Sequence, residues 1–399
     1  MLPDAVTQPK VPDVGPMGYT FGTVRSKGPL TGPPVALDLF SGCGGFSLGA
    51  EAAGARVVAA FDSYPRCVVA HVHNHRAFGT RVYQRDLSKA TGAELVADAG
   101  VRGVDLIVGG PPCQSFSIRG KRRGLGDTRG KLIFDFARLV AEIGPSAFVF
   151  ENVPNLASAT LRPVFEALLR EFEAAGYACS HAVLTAADFG VAQNRRRLFV
   201  VGSANGERIR LPTGSHSAKP QAGKFVHLGT STVLDDLPDV GTDAARRIPN
   251  HEPTAHTPEM LAAFRCLLPG RRDPKSHHDR LRADRPGYTL RAGVGNFTPL
   301  RPIHYRYDRV ISVRESARLQ GFPDGFTWPE SVPRLQQYRQ VGNAVPPPVA
   351  AAVVRAIGEQ LGWDLAPRTM AFPGSSAWVP WESRHPELCR QLSLVDLRH

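Results

Sequence analysis

A chain of 399 residues, 42% of them hydrophobic, is long enough for two domains or for one large domain with an insertion, and it needs no external staple to fold. It has no run of 18 apolar residues to span a bilayer and no basic, apolar leader, so the expected location is the cytoplasm. A net charge of +12 favours a polyanionic partner, and six scattered cysteines without a CxxC pair argue against a disulfide framework or a zinc site.

Residues 1–34 are rich in Pro and Gly without a sustained period and read as a flexible arm. A strand at 35–39 then runs into Asp38 Leu39 Phe40 Ser41 Gly42 Cys43 Gly44 Gly45 Phe46, which opens a helix at 46–53. Backbone amides at such a helix start can face a ligand. Counting from Gly42, the sixth residue is Ser47 rather than Gly or Ala, so the dinucleotide fingerprint is narrowly missed. Phe40 offers an aromatic face, and the loop suits an adenosine-type cofactor without a pyrophosphate better than NAD. The next strand, 56–61, ends at Asp62, spaced to accept from ribose hydroxyls, and a helix follows through 72. A third strand, 81–83, precedes Asp86, which could accept from an adenine amino group.

The strand at 104–108 ends in Gly109 Gly110 Pro111 Pro112 Cys113, which presents one thiol on a turn, and the glycine-punctuated basic stretch 118–130 follows. After a helix at 132–143, the strand 147–150 ends in Glu151 Asn152 Val153 Pro154. A helix at 162–175 comes next, and then Gln193 Asn194 Arg195 Arg196 Arg197 precedes the apolar 198–201. Strands alternating with helices predict an α/β architecture, an open and mostly parallel doubly wound sheet with ligands at the strands' C-terminal edge. Beyond Gly202 the periodicity fails until about 306, as expected of an inserted, loop-rich domain. Pattern returns at 310–320 and at 349–361, the latter a helix packing back on the sheet. The tail from Trp363 carries Trp378 and Trp381 but no usable motif. The expected division is an arm at 1–34, a catalytic and cofactor-binding domain at 35–203, an inserted domain at 204–307, a return at 308–362 and a tail at 363–399.

A lone Pro-Cys pair is ordinary packing, and an arginine run alone is a solvated face. In this order, however, the segments resemble the DNA cytosine carbon-5 methyltransferases, which in bacteria serve restriction–modification systems. The resemblance covers 35–202 and 310–361. It rests on the cysteine segment, Glu151 Asn152 Val153, residues 193–197, Arg314 Glu315 Ser316 Ala317 Arg318 Leu319 Gln320 Gly321 Phe322 Pro323, and Gln340 Val341 Gly342 Asn343 Ala344 Val345. It implies a Rossmann-like methyltransferase fold and S-adenosyl-L-methionine as cofactor, contacted by Phe40, Ser41, Gly42, Gly44, Asp62, Asp86, Leu87, Pro112, Leu132, Asn343 and Ala344.

The resemblance also implies roles in chemistry. Cys113 would be the thiolate that adds to carbon 6 of cytosine, and Glu151 the carboxyl at ring nitrogen 3. Arg195 and Arg197 would fix the carbonyl oxygen and the carboxylate. The partner would be duplex DNA with the target base rotated out. Arg119, Lys121 and Arg129 would grip the backbone, and 204–307 would be the target recognition domain. There, Thr289 and Arg291, within a segment similar to the family's Thr-Leu signature, would touch DNA. The basic residues from Arg271 to Arg285 are candidates for phosphate or guanine contact. A monomer is expected, and a restriction endonuclease of the same DNA word is a partner in function without physical binding. One departure stands out: Asp62 is followed by Ser63 where the family more often has Glu and a bulky apolar residue.

Rival readings are a transfer-RNA cytosine-5 methyltransferase of the same fold and a catalytically silent DNA-binding homologue. The first typically has a short insert and a Cys Phe Thr signature absent here; the second predicts a broken active site. A nicotinamide oxidoreductase would need the missing third glycine.

Overall fold

In the computed structural model the described residues are 32–112, 131–293 and 299–366. The first half alternates as expected: β1 (Val35–Leu39), α1 (Gly45–Ala52), β2 (Arg56–Asp62), α2 (Pro65–His75), β3 (Arg81–Gln84), α3 (Gly92–Ala99), β4 (Leu106–Gly109), α4 (Leu132–Ile143), β5 (Ala147–Asn152), α5 (Arg162–Ala174), β6 (Ala178–Thr185), β7 (Gln193–Asn194) and β8 (Arg196–Ser203). Seven of these strands form one sheet in the order β3-β2-β1-β4-β5-β8-β6. The first five run parallel, and β8 runs antiparallel between β5 and β6.

The central strands are apolar on both faces because helices cover both. Along β5, Ala147 and Val149 enter one core with α1 and the C-terminal helix, while Phe148 and Phe150 enter the other with α4 and α5. In this half, α3 and β6 escaped the sequence reading. α3 starts from a capping box between Thr91 and Glu94, and β6 is an edge strand with four of its eight residues only half-buried and two exposed.

From 204 to 312 the elements are short. β9 (His216–Ser217) pairs with β10 (Phe225–Val226), and α6 (Thr230–Leu234) and α7 (Pro258–Cys266) follow. β11 (Asp279–Arg280) pairs with β13 (Pro302–Ile303), and β12 (Gly287–Tyr288) pairs with β7. That last pairing ties this stretch to the two residues just before Arg195.

The chain then returns through α8 (Val313–Leu319), α9 (Arg334–Asn343) and α10 (Pro347–Leu361). α10 packs tightly on α1: a Cβ on Gly49 would lie 2.4 Å from the Ala350 Cβ and 2.5 Å from the Pro347 carbonyl oxygen. Only glycine permits that approach, and it seats the returning helix directly behind the glycine loop.

Candidate active site

Sheet register gathers the strand ends. Leu39, Gly109 and Phe150 lie side by side across β1, β4 and β5, and Phe61 of β2 is Leu39's other neighbour. The next residues, Phe40, Asp62, Gly110 and Glu151, therefore form one row along the C-terminal edge. This is the point where strand order reverses, with β1 leading out to β2 and β3 and β4 to β5, and open α/β sheets bind ligands there.

The glycine loop is held in an unusual shape. Phe40 has φ 56°, a left-handed conformation uncommon for a non-glycine residue, and Gly42 and Gly44 have φ 56° and 99°. Ser41 is buried, and its carbonyl accepts from the Gly44 amide at 3.0 Å. Asp62 locks the loop from β2: one carboxylate oxygen accepts from the Gly42 amide at 2.9 Å, the other from the Tyr64 amide at 2.8 Å. Burial raises the Asp62 pKa, and those two backbone bonds oppose the rise. Asp86 is exposed beyond β3, where Ser88 donates to it from its amide at 3.1 Å and its hydroxyl at 2.7 Å. Those bonds, the hydroxyl's first, keep its pKa low. Leu87 is buried, and its carbonyl is bound by Arg138 of α4 at 3.0 Å. Pro112 and Leu132 are half-buried on either side of the undescribed stretch.

The carboxylate end is the most charged part of the row. Glu151, buried at the end of β5, forms an ion pair with Arg197 of β8 at 2.9 Å. Gly110 makes room for it, since a Cβ there would fall 2.9 Å from Glu151 Oε2. Burial pushes the Glu151 pKa up, and the charges of Arg197 and Arg195 pull it back without cancelling the rise. The Asn152 side-chain amide donates to the Pro111 carbonyl at 3.0 Å, so β5 pins the turn that leads to Cys113. Arg195, among the largest fully buried side chains, donates to the carbonyls of Gly342 at 2.9 Å, Leu290 at 3.3 Å and Asn343 at 3.4 Å. Its pKa is driven down by burial first and by Arg197 second.

Gln193 is a clamp that the motif reading left without a role. It donates to the Leu319 carbonyl and to Gln320 Oε1 at 3.1 and 2.7 Å, and accepts from the Leu290 amide at 3.0 Å. Gln320 donates on to the Ala344 carbonyl at 2.6 Å. Three motifs far apart in sequence thus meet behind Arg195. Asn343 is exposed and Ala344 half-buried at the end of α9.

Cys113, Arg119, Lys121 and Arg129 lie outside the described residues. Thr289 spends its hydroxyl on the Asn194 carbonyl at 2.8 Å, while Arg291 is exposed. Beside them opens a cavity of about 550 Å³, lined by Asn194, Leu268, Arg271, Arg282, Arg285 and Tyr288 among others. Arg282 and Arg285 lean on Asp284 at 2.9 and 3.7 Å, whereas Arg271 has no ion pair among the described residues.

An open sheet with one reversed strand, a glycine loop at its switch point and a buried carboxylate among arginines define a Rossmann-like methyltransferase fold. The sequence profile of the C-5 cytosine-specific DNA methylases matches residues 35–359, and the chain belongs to that family. It is 35% identical over 366 residues to the Type II methyltransferase M.XorII of Xanthomonas oryzae pv. oryzae, covering 82% of this chain and 84% of that one. It is 33% identical over 335 residues to M1.HphI of Haemophilus parahaemolyticus, with 80% and 86% covered. Among solved structures, a DNA modification methyltransferase encoded within an E. coli prophage superposes with a TM-score of 0.68 at 26% identity, over 82% of this chain and 99% of that one. The Dnmt2 methyltransferase of S. pombe shares the fold, with a TM-score of 0.60 at 19% identity and 83% and 100% covered. The protein is a DNA (cytosine-5-)-methyltransferase of the restriction–modification type.

Proposed function

We propose that this enzyme methylates a specific cytosine in duplex DNA, using S-adenosyl-L-methionine and a transient covalent bond from Cys113. The observation that carries the reading is Glu151: a buried carboxylate, 2.9 Å from Arg197, at the lip of the turn that leads into Cys113. A raised carboxyl pKa is what proton sharing with ring nitrogen 3 requires.

Carbon 5 of cytosine is a weak nucleophile. As the Cys113 thiolate bonds to carbon 6, the 5,6 double bond breaks and its electron pair moves into the ring toward carbon 5, while Glu151 supplies a proton to nitrogen 3. Arg195 and Arg197 hold positive charge where the ring becomes electron-rich, at no reorganisation cost. Carbon 5 then takes the methyl group. Loss of its proton to a base restores the double bond as the sulfur–carbon bond breaks, the thiolate leaves and nitrogen 3 returns its proton to Glu151.

The cofactor supplies an electrophilic sulfonium methyl when bound. The loop suits it: amides at a helix start, left-handed turns at Gly42 and Gly44, and Asp62 at the next strand end. Phe40, Ser41, Gly42, Gly44, Asp62, Asp86, Leu87, Pro112, Leu132, Asn343 and Ala344 are the residues proposed to hold it. We assign 204–307 to target recognition and 35–203 with 308–362 to catalysis. Arg119, Lys121 and Arg129 are proposed for phosphate, and Thr289 and Arg291 for the DNA near the flipped base. The enzyme is proposed to act as a cytoplasmic monomer alongside, and not bound to, an endonuclease for the same word.

A duplex carrying 5-fluorocytosine tests the covalent step, because fluorine cannot leave as a proton does. Incubation with cofactor is expected to leave a denaturation-resistant protein–DNA adduct, absent from Cys113→Ala. An adduct that survives in that variant, or none with wild type that methylates ordinary DNA, would overturn the covalent reading.

A further inference from the structure

Beneath the glycine loop sits a pair of imidazoles that the proposed chemistry does not use. α2 places His71 and His75 one turn apart, both with no exposed surface, with ring centroids 4.5 Å apart. His71 Nδ1 lies 3.2 Å from the Ser41 hydroxyl. His75 Nδ1 lies 3.1 Å from Glu51 Oε2, and Glu51 Oε1 accepts from the Thr80 hydroxyl at 2.8 Å. Both rings press on the loop from below: a Cβ at Gly44 would come within 2.5 Å of His75 Nε2 and 3.0 Å of His71 Cδ2.

An apolar side chain would fill this space more cheaply, since neither Nε2 has a hydrogen-bond partner among the described residues. Burial first, and the second ring next, push the His71 pKa well below its ordinary 6.5 and so favour the neutral ring. What an aliphatic residue could not provide is the bond to Ser41.

Resting on the reading of this loop as the cofactor loop, we propose that His71 is a positioning residue for S-adenosyl-L-methionine. Its ring fixes the Ser41 hydroxyl and with it the strained Phe40–Gly44 backbone, and the chain His75, Glu51, Thr80 braces that ring from behind. Through Ser41 it acts on cofactor affinity and not on the methyl-transfer step.

The test is calorimetric titration of S-adenosyl-L-methionine into the full-length wild type, His71→Leu, His71→Asn, Ser41→Ala and the Ser41→Ala/His71→Leu double variant, with KM and kcat measured in parallel. His71→Leu loses one bond and is expected to raise Kd and KM for the cofactor about tenfold while kcat changes much less. His71→Asn, whose amide takes the place of Nδ1, recovers most of that loss. In the Ser41→Ala background the Leu change adds little. Wild-type affinity in His71→Leu, full additivity in the double variant, or a fall in kcat with KM unmoved would overturn the proposal. If His71→Leu does not fold, the Asn and Ser41→Ala variants decide it: unchanged cofactor affinity in Ser41→Ala sinks it. A wild type that binds no cofactor would instead remove the reading of the loop on which the proposal rests.

Discussion

Two regions of this molecule are held together by different forces. In the sheet and its helices, burial of apolar side chains does the work: Phe136, Phe148, Phe150 and Phe172 interlock, with Phe148 and Phe172 stacked at 4.2 Å. Between 204 and 315 the large buried side chains are often polar. Arg280 donates to the Phe264 carbonyl at 2.7 Å and to Asp308 at 2.8 Å, and Arg309 grips Glu315 through two bonds of 2.8 Å. Asn250 bridges to the Trp328 backbone in both directions, at 2.8 and 2.9 Å.

Breaking the first region should cost most. Phe148→Ala removes a fully buried ring and is expected to lower unfolding free energy by about 3–5 kcal/mol in urea titrations. A loss under about 1 kcal/mol would mean that this core is far less cooperative than its packing implies.

Glu315→Gln probes the second region. Burial pushes the Glu315 carboxyl up, but the bonds and charge of Arg309, with His304 and Ser312, outweigh it and leave the pKa below 4.5. A depressed carboxyl contributes stability above its unfolded pKa, so this contribution is present above pH 4.5 and is lost as pH falls below it. The variant should lose about 1–3 kcal/mol near neutral pH, since Arg309 keeps only the half-buried Asp239 at 2.8 Å as a carboxylate partner, and its stability should fall less steeply in acid. An acid limb as steep as wild type would place that dependence elsewhere.

The smallest stability effect should come with a change in function. Arg271→Ala is expected to change stability by no more than about 0.5 kcal/mol. If Arg271 reads a guanine edge, the set of methylated sequences widens at one position. If it meets phosphate, methylation weakens uniformly and the salt dependence of binding becomes shallower. No change in either would remove it from the DNA interface.

The same contrast explains what could be read in advance. Continuous apolar runs made β4 and β5 legible, and the glycine and proline punctuation after them located the edge where Phe40, Gly110 and Glu151 line up. That Glu151 and Arg197 meet was legible because each ends or starts a strand. α3 was missed because its Ala-rich pattern is short, and β6 because an edge strand mixes exposed and buried positions. The bonds of Gln193 and the hold of His71 on Ser41 join residues 97 or more and 30 positions apart, and no local period marks them. Thr289 was expected at the DNA, and its hydroxyl is engaged by Asn194, a contact that only the pairing of β12 with β7 creates.

The most direct test of the account is methyl transfer from labelled S-adenosyl-L-methionine to unmethylated duplex DNA, comparing wild type with Glu151→Gln and mapping modified cytosines base by base. Wild type should methylate carbon 5 within one sequence word, while the variant binds DNA and cofactor but transfers at least about 100-fold more slowly. Full activity in Glu151→Gln would contradict the role given to the buried carboxylate at the centre of the site.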